Sequence, residues 1–319
     1  MPYATEQKYL ALGKESVRGT AVTPSRYIPV GKDTELDYKL ELVEDAQVRA
    51  LLERFPAKAG RLVGVGRISN LEIAPDMAGE LIYSLLNKVA TTHSGTLAYL
   101  HKFTKDSTVL QNQSYTIHIG RGLNTKMYNL GVVKSMAFKG TGDGKVTADA
   151  DVLFQQEAAE TFSPSPSWAS QLTPLMFYNT KLTFDVTDDT TTIKDWNLTI
   201  DNQAFAKWVL NQKQYCTDIL CSGKLQVSGG FTAYFEDETR RGDFLAGTSQ
   251  KLVITCTGDL IETSNYNELI FTLPKVIYKA YPFGDVDGLL GAAVTFDAYY
   301  DLSSSETIDI QLQNTNTSY

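Results

Sequence analysis

Histidine and cysteine are scarce in this chain, and the chemistry they support is excluded with them. Three histidines in 319 residues, His93, His101 and His118, leave any metal triad to be assembled from distant carboxylates. Three cysteines, Cys216, Cys221 and Cys256, make an odd number with no two-residue spacing, so neither a disulfide framework nor a zinc site is signalled. They read as reduced packing residues. Long apolar runs are missing too. Nothing approaches the roughly eighteen residues of a membrane helix, and the opening Met1-Pro2-Tyr3-Ala4-Thr5-Glu6 lacks the basic-then-apolar order of a signal peptide. The expectation is synthesis and folding in a cytoplasm, with no membrane insertion. No Lys/Arg cluster of the kind that neutralises a row of phosphates is present, which argues against tight nucleic-acid binding.

Catalytic signatures are equally thin. There is no Gly-x-Ser-x-Gly elbow and no local Cys/His pattern that would mark a nucleophile. Gly64-Val65-Gly66 lacks the third glycine of a dinucleotide fingerprint, and the cluster from Gly140 to Gly144 lacks the Lys-Ser/Thr of a phosphate loop; each reads as a turn or a strand bulge. Asp285-Val286-Asp287-Gly288 is like part of a calcium loop without its remaining ligands. The chain is read as non-enzymatic, with no catalytic residue, cofactor or metal.

What is present is an ordinary globular balance, 43% hydrophobic and 21% charged residues, in a length that suits one large β domain or two of similar size. Charge is uneven: residues 1–160 hold 19 Lys+Arg and 18 Asp+Glu, residues 161–319 hold 10 and 19, so the second half carries the acidic excess. Period-two alternation dominates. It is clear at Tyr115, Ile117 and Ile119, across Lys181-Leu182-Thr183-Phe184-Asp185-Val186, at Val294, Phe296 and Ala298, and at Ile308, Ile310 and Leu312. Leu252-Val253-Ile254-Thr255-Cys256 is more continuously apolar, as in a strand covered on both sides. Turn signals lie between them at Gly140 to Gly144, Asp188-Asp189, Asp201-Asn202, Ser228-Gly229-Gly230 and Gly284 to Gly288. The architecture is therefore mainly antiparallel β. One helix stands out where Met77, Leu81, Ile82, Leu85 and Leu86 recur at helical spacing behind Pro75-Asp76, which predicts a helix over about 76–88. Shorter helical turns are expected at 203–210 and 237–245.

The run Leu12-Gly13-Lys14-Glu15-Ser16-Val17-Arg18-Gly19-Thr20-Ala21-Val22-Thr23-Pro24, closing on Tyr27-Ile28-Pro29-Val30, resembles the opening of bacteriophage tail tube proteins of long-tailed phages. Leu71-Glu72-Ile73-Ala74-Pro75-Asp76-Met77-Ala78-Gly79-Glu80-Leu81 is similar to that family's passage from strand to helix. Trp196-Asn197-Leu198-Thr199-Ile200-Asp201-Asn202 and the run from Lys224 to Asp237 look like strands of its barrel. Residues 89–113 and 303–319 carry no such phrase. The resemblance implies a structural virion protein of the viral tail, with a tail-tube-type antiparallel β-sandwich or β-barrel and a packed α-helix. Such subunits self-assemble into stacked rings, trimeric and pseudo-six-fold or hexameric. The rings form a hollow tube through which DNA passes without sequence-specific binding during ejection. Implied partners are further copies of the chain and the tape measure, terminator and distal tail proteins.

A loose echo between Val133 to Phe138 and Ile193 to Leu198, with Lys145 to Ala150 against Lys224 to Gly229, suggests a tandem form. The extended composition of Thr161-Phe162-Ser163-Pro164-Ser165-Pro166-Ser167 places the cut. The expected organisation is a first tail-tube-like domain at 1–160 with an N-terminal arm and a long loop, a linker at 161–175, and a second domain at 176–319. Residues 33–60 are dense in both signs of charge and sit where family members carry a long excursion between rings. They read equally as a surface hairpin or an amphipathic turn built on Val48, Leu51, Leu52 and Phe55. Expected inter-ring contacts are Glu35, Asp37, Lys39, Glu41, Arg49 and Arg54, with Lys14, Glu15 and Arg18 from the arm. Acidic residues of the second half are expected to give a negative lumen along which DNA slides. The alternatives are a carbohydrate-binding or glycan-cleaving β protein, equipped by pairs such as Asp188-Asp189 and Glu236-Asp237-Glu238 and by plentiful aromatics, or another ring-forming tail component such as a terminator or distal tail protein.

Overall fold

The computed structural model describes residues 8–47, 49–50, 52–142, 144–161, 166–168, 173–189 and 191–319. Residues 8–161 hold β1 (Tyr9–Lys14), β2 (Arg26–Ile28), β3 (Glu35–Val43), β4 (Lys58–Glu72), helix α1 (Gly79–Leu86), β5 (Asn87–His93), β6 (Tyr99–Lys105), β7 (Tyr115–Gly120), β8 (Lys126–Thr141), β9 (Thr147–Phe154) and β10 (Gln156–Ala159). Residues 173–319 hold β11 (Thr180–Phe184), β12 (Thr187–Asp189), β13 (Ile193–Asp201), β14 (Ala204–Lys207), β15 (Asp218–Cys221), β16 (Gln226–Tyr234), helix α2 (Thr239–Ala246), β17 (Gln250–Glu262), β18 (Asn265–Ala280), β19 (Phe283–Val286), β20 (Leu289–Ala298) and β21 (Asp309–Asn314). The fold is mainly β, and every pairing between these strands is antiparallel.

One sheet runs β3-β4-β9-β8-β13-β16-β20-β18, so strands from both halves of the chain hydrogen-bond into the same surface. Alternation gives it one dry face. Leu36, Ile68, Val152, Phe138, Leu198, Ile200, Phe231, Val294 and Phe296 are all buried there. Against that face β18 carries a second layer, β17 and β11 on one edge and β21, β6 and β5 on the other. Phe271 of this layer meets Phe138 at 4.8 Å and Trp196 at 6.1 Å between ring centroids. A smaller sheet, β2-β1-β7, attaches to the first half of β8, with β10 on the other side. One continuous apolar core reaches from Leu10 to Leu312. Among the described residues the sheet does not close into a barrel.

The same succession of pairings occurs twice. The row Leu36, Gly66, Val152, Val133 crosses β3, β4, β9 and β8, and Leu198, Gly229, Phe296, Tyr278 crosses β13, β16, β20 and β18. Each row is followed by a register shift at the same place, Val133/Ser135 and Tyr278/Ala280. β4 leads into α1 and β16 into α2, and each helix ends on a left-handed residue, Asn87 at φ 70° and Gly247 at φ 62°. The last strand of each row also pairs with the strand before it in the chain, β8 with β7 and β18 with β17, while the hairpin of β5 and β6 has no counterpart among the described residues of the second half. This correspondence differs from the echo in the sequence, which aligned β8 with β13. Those two strands are neighbours, and their likeness is the alternation any half-buried strand shows.

Several expectations change for local physical reasons. Ser228-Gly229-Gly230 is no turn but the middle of β16. A Cβ on Gly229 would meet the Phe296 ring at 2.7 Å, so glycine lets the aromatic lie on the strand. Gly64 and Gly66 likewise sit inside β4, under Phe154 and Leu36. The helix expected over 76–88 is Gly79–Leu86, because residues 75–77 form a turn ahead of it. Residues 204–207 are strand β14 rather than a helical turn, whereas 239–246 are helical. At Asp287-Gly288, φ values of 55° and 82° make the tight hairpin turn between β19 and β20 that this dipeptide favours.

Candidate assembly surface

The second face of the main sheet is wet. Along β3, β4, β9, β8, β13 and β20 it presents Asp37, Lys39, Arg67, Asp151, Lys139, Asn197 and Asp297, all at least partly exposed. Ion pairs hold it in order: Arg67 with Asp149 at 3.0 Å, Lys279 with Asp297 at 3.0 Å, and Glu35 with Arg121 at 2.9 Å. Burial alone would raise the Asp149 carboxyl, but the Asn70 amide and Arg67 outweigh it and hold the group below its usual range. Lys279 is pushed up by its bond to Asp297.

Among the described residues both ends of this sheet are open. Among the described residues β3 pairs only with β4, and β19 pairs only with β20. β17 accompanies β18 as far as Val276, which leaves one edge of residues 277–280 and of β19 without a strand. An unpaired edge is a row of backbone donors and acceptors ready for another strand. The hairpin of β3 and β4 projects beyond the sheet, with Leu42, Val43 and Leu52 exposed at 60, 62 and 108%. These values are high enough to make its tip apolar as well as charged.

The residues expected to form inter-ring contacts divide into separate groups. Glu35, Asp37 and Lys39 lie on the wet sheet face in β3, Glu41 pairs with Arg61 at 2.8 Å nearer the tip, and Arg49 and Arg54 pair with Asp45 and Glu44 within the tip itself. The bond from Arg54 lowers the Glu44 carboxyl. The tip is a surface hairpin, with Arg49 over the Phe55 ring at 4.4 Å. Val48 and Leu51 lie outside the described residues. The arm residues are engaged within the chain. Lys14 Nζ sits 4.8 Å from the centre of the Tyr83 ring. Glu15 is buried and accepts bonds from Gly19 N, Ser114 Oγ, Thr116 Oγ1 and Leu130 N. Arg18 binds Asp218 and the carbonyls of Asn112 and Ile219.

Several groups with catalytic or ligating potential are engaged in packing or in hydrogen bonds. His101 is buried, its Nε2 facing the Asn316 carbonyl at 2.9 Å, and burial lowers its pKa. All three cysteines are buried and free, with burial pushing Cys216 up to about 11 and Cys256 up to about 12. Among the described residues no three His, Cys, Asp or Glu side chains are placed to hold a metal ion. A cavity of about 590 Å³ brings Asp188, Asp189, Glu236 and Asp237 together beside α2. Asp189 is taken by Arg240 and Thr192, and Asp188 by Lys181 and Thr183. Trp196 is buried, so it offers no platform to a sugar. Among the described residues no helix is long and apolar enough to cross a membrane.

Among the described residues the chain is a β-rich subunit with a polar sheet face, two open sheet edges and a projecting hairpin, the features of a structural protein. The phage tail tube protein family model matches residues 5–315, nearly the whole chain, and the chain belongs to that family. The match takes in 89–113 and most of 303–319, where β5, β6 and β21 lie and no phrase had pointed. The protein is thus a structural component of a phage tail. No curated protein matches the sequence.

Proposed function

We propose that copies of this chain close into rings and that the rings stack into the hollow tail tube through which DNA leaves the particle. The observation that carries this reading is the pair of unpaired edges at opposite ends of one sheet. A head-to-tail contact between different edges closes a ring when its rotation closes, and strand addition satisfies both edges at once. The repeated pairing order supports two tail-tube-like units in tandem, 1–160 and 176–319, already joined edge to edge through β8 and β13. Two units per chain suit a trimeric, pseudo-six-fold ring better than a hexamer.

The wet face of the sheet then lines the lumen. Its second-half acids, Asp195, Asp201 and Asp297 against Lys279, favour a wall that repels phosphate and lets DNA slide. The hairpin tip, with Glu41, Arg49 and Arg54, would reach the neighbouring ring. Lys14, Glu15 and Arg18 would serve there by bracing the arm. Tape measure, terminator and distal tail proteins are the partners at the tube's ends. The test is electron microscopy of concentrated purified protein. Rings or hollow tubes are the expected result, and a species that stays monomeric under all nucleating conditions would overturn the reading.

A further inference from the structure

The chain contains one completed edge-to-edge joint, and it supplies a template for the one it lacks. β8 and β13 pair as Ser135 with Asp201, Met136 with Ile200, and Phe138 with Leu198, and the Asn202 amide donates to the Lys134 carbonyl at 3.1 Å. The two matched rows put Val133 in the place of Tyr278 and Leu198 in the place of Leu36. Stepping along each strand from those anchors carries Ser135 onto Ala280 and Asp201 onto Lys39. We infer that the open edge of β18 and β19 in one copy pairs antiparallel with β3 of the next, with Ala280 opposite Lys39, Tyr281 opposite Tyr38 and Lys279 opposite Leu40. This rests on the ring reading above and gives its contact a register.

Backbone directions at both edges suit the pairing. The Pro282 carbonyl accepts from Ala293 N at 3.2 Å. The proline's missing donor therefore faces β20, and the groups of Tyr281 and Phe283 turn outward, since successive residues of a strand bond to opposite sides. On β3 the Leu36 carbonyl points to the open edge, where Tyr128 Oη at 2.8 Å and Arg121 Nη2 at 3.0 Å already close it. The free run therefore starts at Tyr38. Its amide donates only to the neighbouring Asp37 Oδ1 at 2.8 Å, an exposed bond that a ladder partner can replace. No like charges oppose one another: Lys39 faces Ala280, and Asp37 faces Pro282. Both new partners of the wet face lie on it, as Ser135 and Asp201 do in the internal joint.

Paired cysteines test the register. Lys39→Cys and Ala280→Cys in one chain place two thiols on the same face of directly opposed residues, while the native cysteines stay buried. Assembled, oxidised protein should give a ladder of covalent multimers on a non-reducing gel, absent from either single variant. The pair Leu40→Cys with Ala280→Cys, which points to opposite faces, should give none. Tubes that form but cross-link through neither pair, or through the second, would overturn the register while leaving the tube intact. Failure of the unmodified chain to form rings would remove both proposals. Should the variants misfold, hydrogen exchange on the unmodified chain decides. Amides of Tyr38, Leu40 and Tyr281 should gain at least tenfold protection on assembly, and unchanged exchange there would overturn the pairing.

Discussion

Arg26 Nε lies 3.0 Å from Glu80 Oε1, joining β2 to the first turn of helix α1, where Glu80 is buried. The pair is not a simple stabiliser. Burial pushes the Glu80 carboxyl up to about 7, Arg26 pulls it down by less, and nearby Asp76 adds to the rise. Its second oxygen, Oε2, is buried without a hydrogen-bond partner. In α2 the matching position is Arg240, bound to Asp189 of β12, so the same joint recurs with its charges exchanged.

A pH dependence follows from that carboxyl. Its folded value lies above the ordinary carboxylate value, so between about pH 4.5 and 7 the folded state binds more protons than the unfolded chain. The contribution of Glu80 to stability is therefore full below that window and is lost as pH rises through 7. Glu80→Gln should flatten this slope in thermal unfolding between pH 5 and 8. His101 works the other way, since its lowered pKa favours the folded state at higher pH, and it stays intact in the variant. An unchanged slope would show that Glu80 does not titrate in this window.

Two glycines separate close packing from conformational freedom. Gly229 lies 2.5 Å, in Cβ terms, from the Asn197 carbonyl oxygen and 2.7 Å from the Phe296 ring, whereas Gly242 in α2 has nothing within 4 Å. Gly229→Ala should destabilise by about 1–3 kcal/mol through overpacking. Gly242→Ala should stabilise by roughly 0.5–1 kcal/mol, the helical preference of alanine over glycine. Urea unfolding of the two variants against the parent measures both, and a loss of stability in Gly242→Ala would mean that α2 is covered in solution.

Arg18 fastens the arm to the second half of the chain. It reaches Asp218, the first residue of β15, while also holding two carbonyls, and both charged side chains are about four-fifths shielded. Burial raises the Asp218 carboxyl, but bonds from Arg18 and Gln111 outweigh this and leave it below its usual range. Arg18→Ala should cost about 2–3 kcal/mol, the range for charge-assisted bonds whose partner is left behind. Adding Asp218→Ala should cost less than the sum of the single changes. Strict additivity in that double-mutant cycle would mean the pair does not couple.

The reach of the sequence can be traced through particular strands. β7, β20 and β21 were legible because Tyr115, Ile117 and Ile119, then Val294 and Phe296, then Ile310 and Leu312 alternate without interruption. Gly66 and Gly229 misled because glycine signals a turn, and only the partner strand reveals that Leu36 and Phe296 need the space. The joint of β8 with β13, and that of β6 with β21, link residues far apart in sequence. Nothing local encodes such pairing. For the same reason the charged run from Glu35 to Arg54 read as one contact surface, while the fold divides it between sheet face and hairpin tip.

On the ring reading proposed above, the tip should separate assembly from folding. Leu42, Val43 and Leu52 are exposed in the subunit, and its ion pairs Arg54 with Glu44 and Arg49 with Asp45 are at the surface. Exposed pairs of this kind contribute little to folding, because water and salt screen them. Leu42→Ser with Leu52→Ser should therefore leave monomer stability within about 0.5 kcal/mol of the parent while abolishing or sharply shortening the tubes. Salt identifies the force involved. If buried apolar surface dominates the contact, raising ionic strength should preserve or lengthen tubes of the parent, because screening weakens ion pairs and not hydrophobic burial. Charge reversal at Arg49 and Arg54 should then have the smaller effect. Tubes of normal length from the serine variant, seen by electron microscopy and sedimentation, would place the contact between rings elsewhere than on this hairpin.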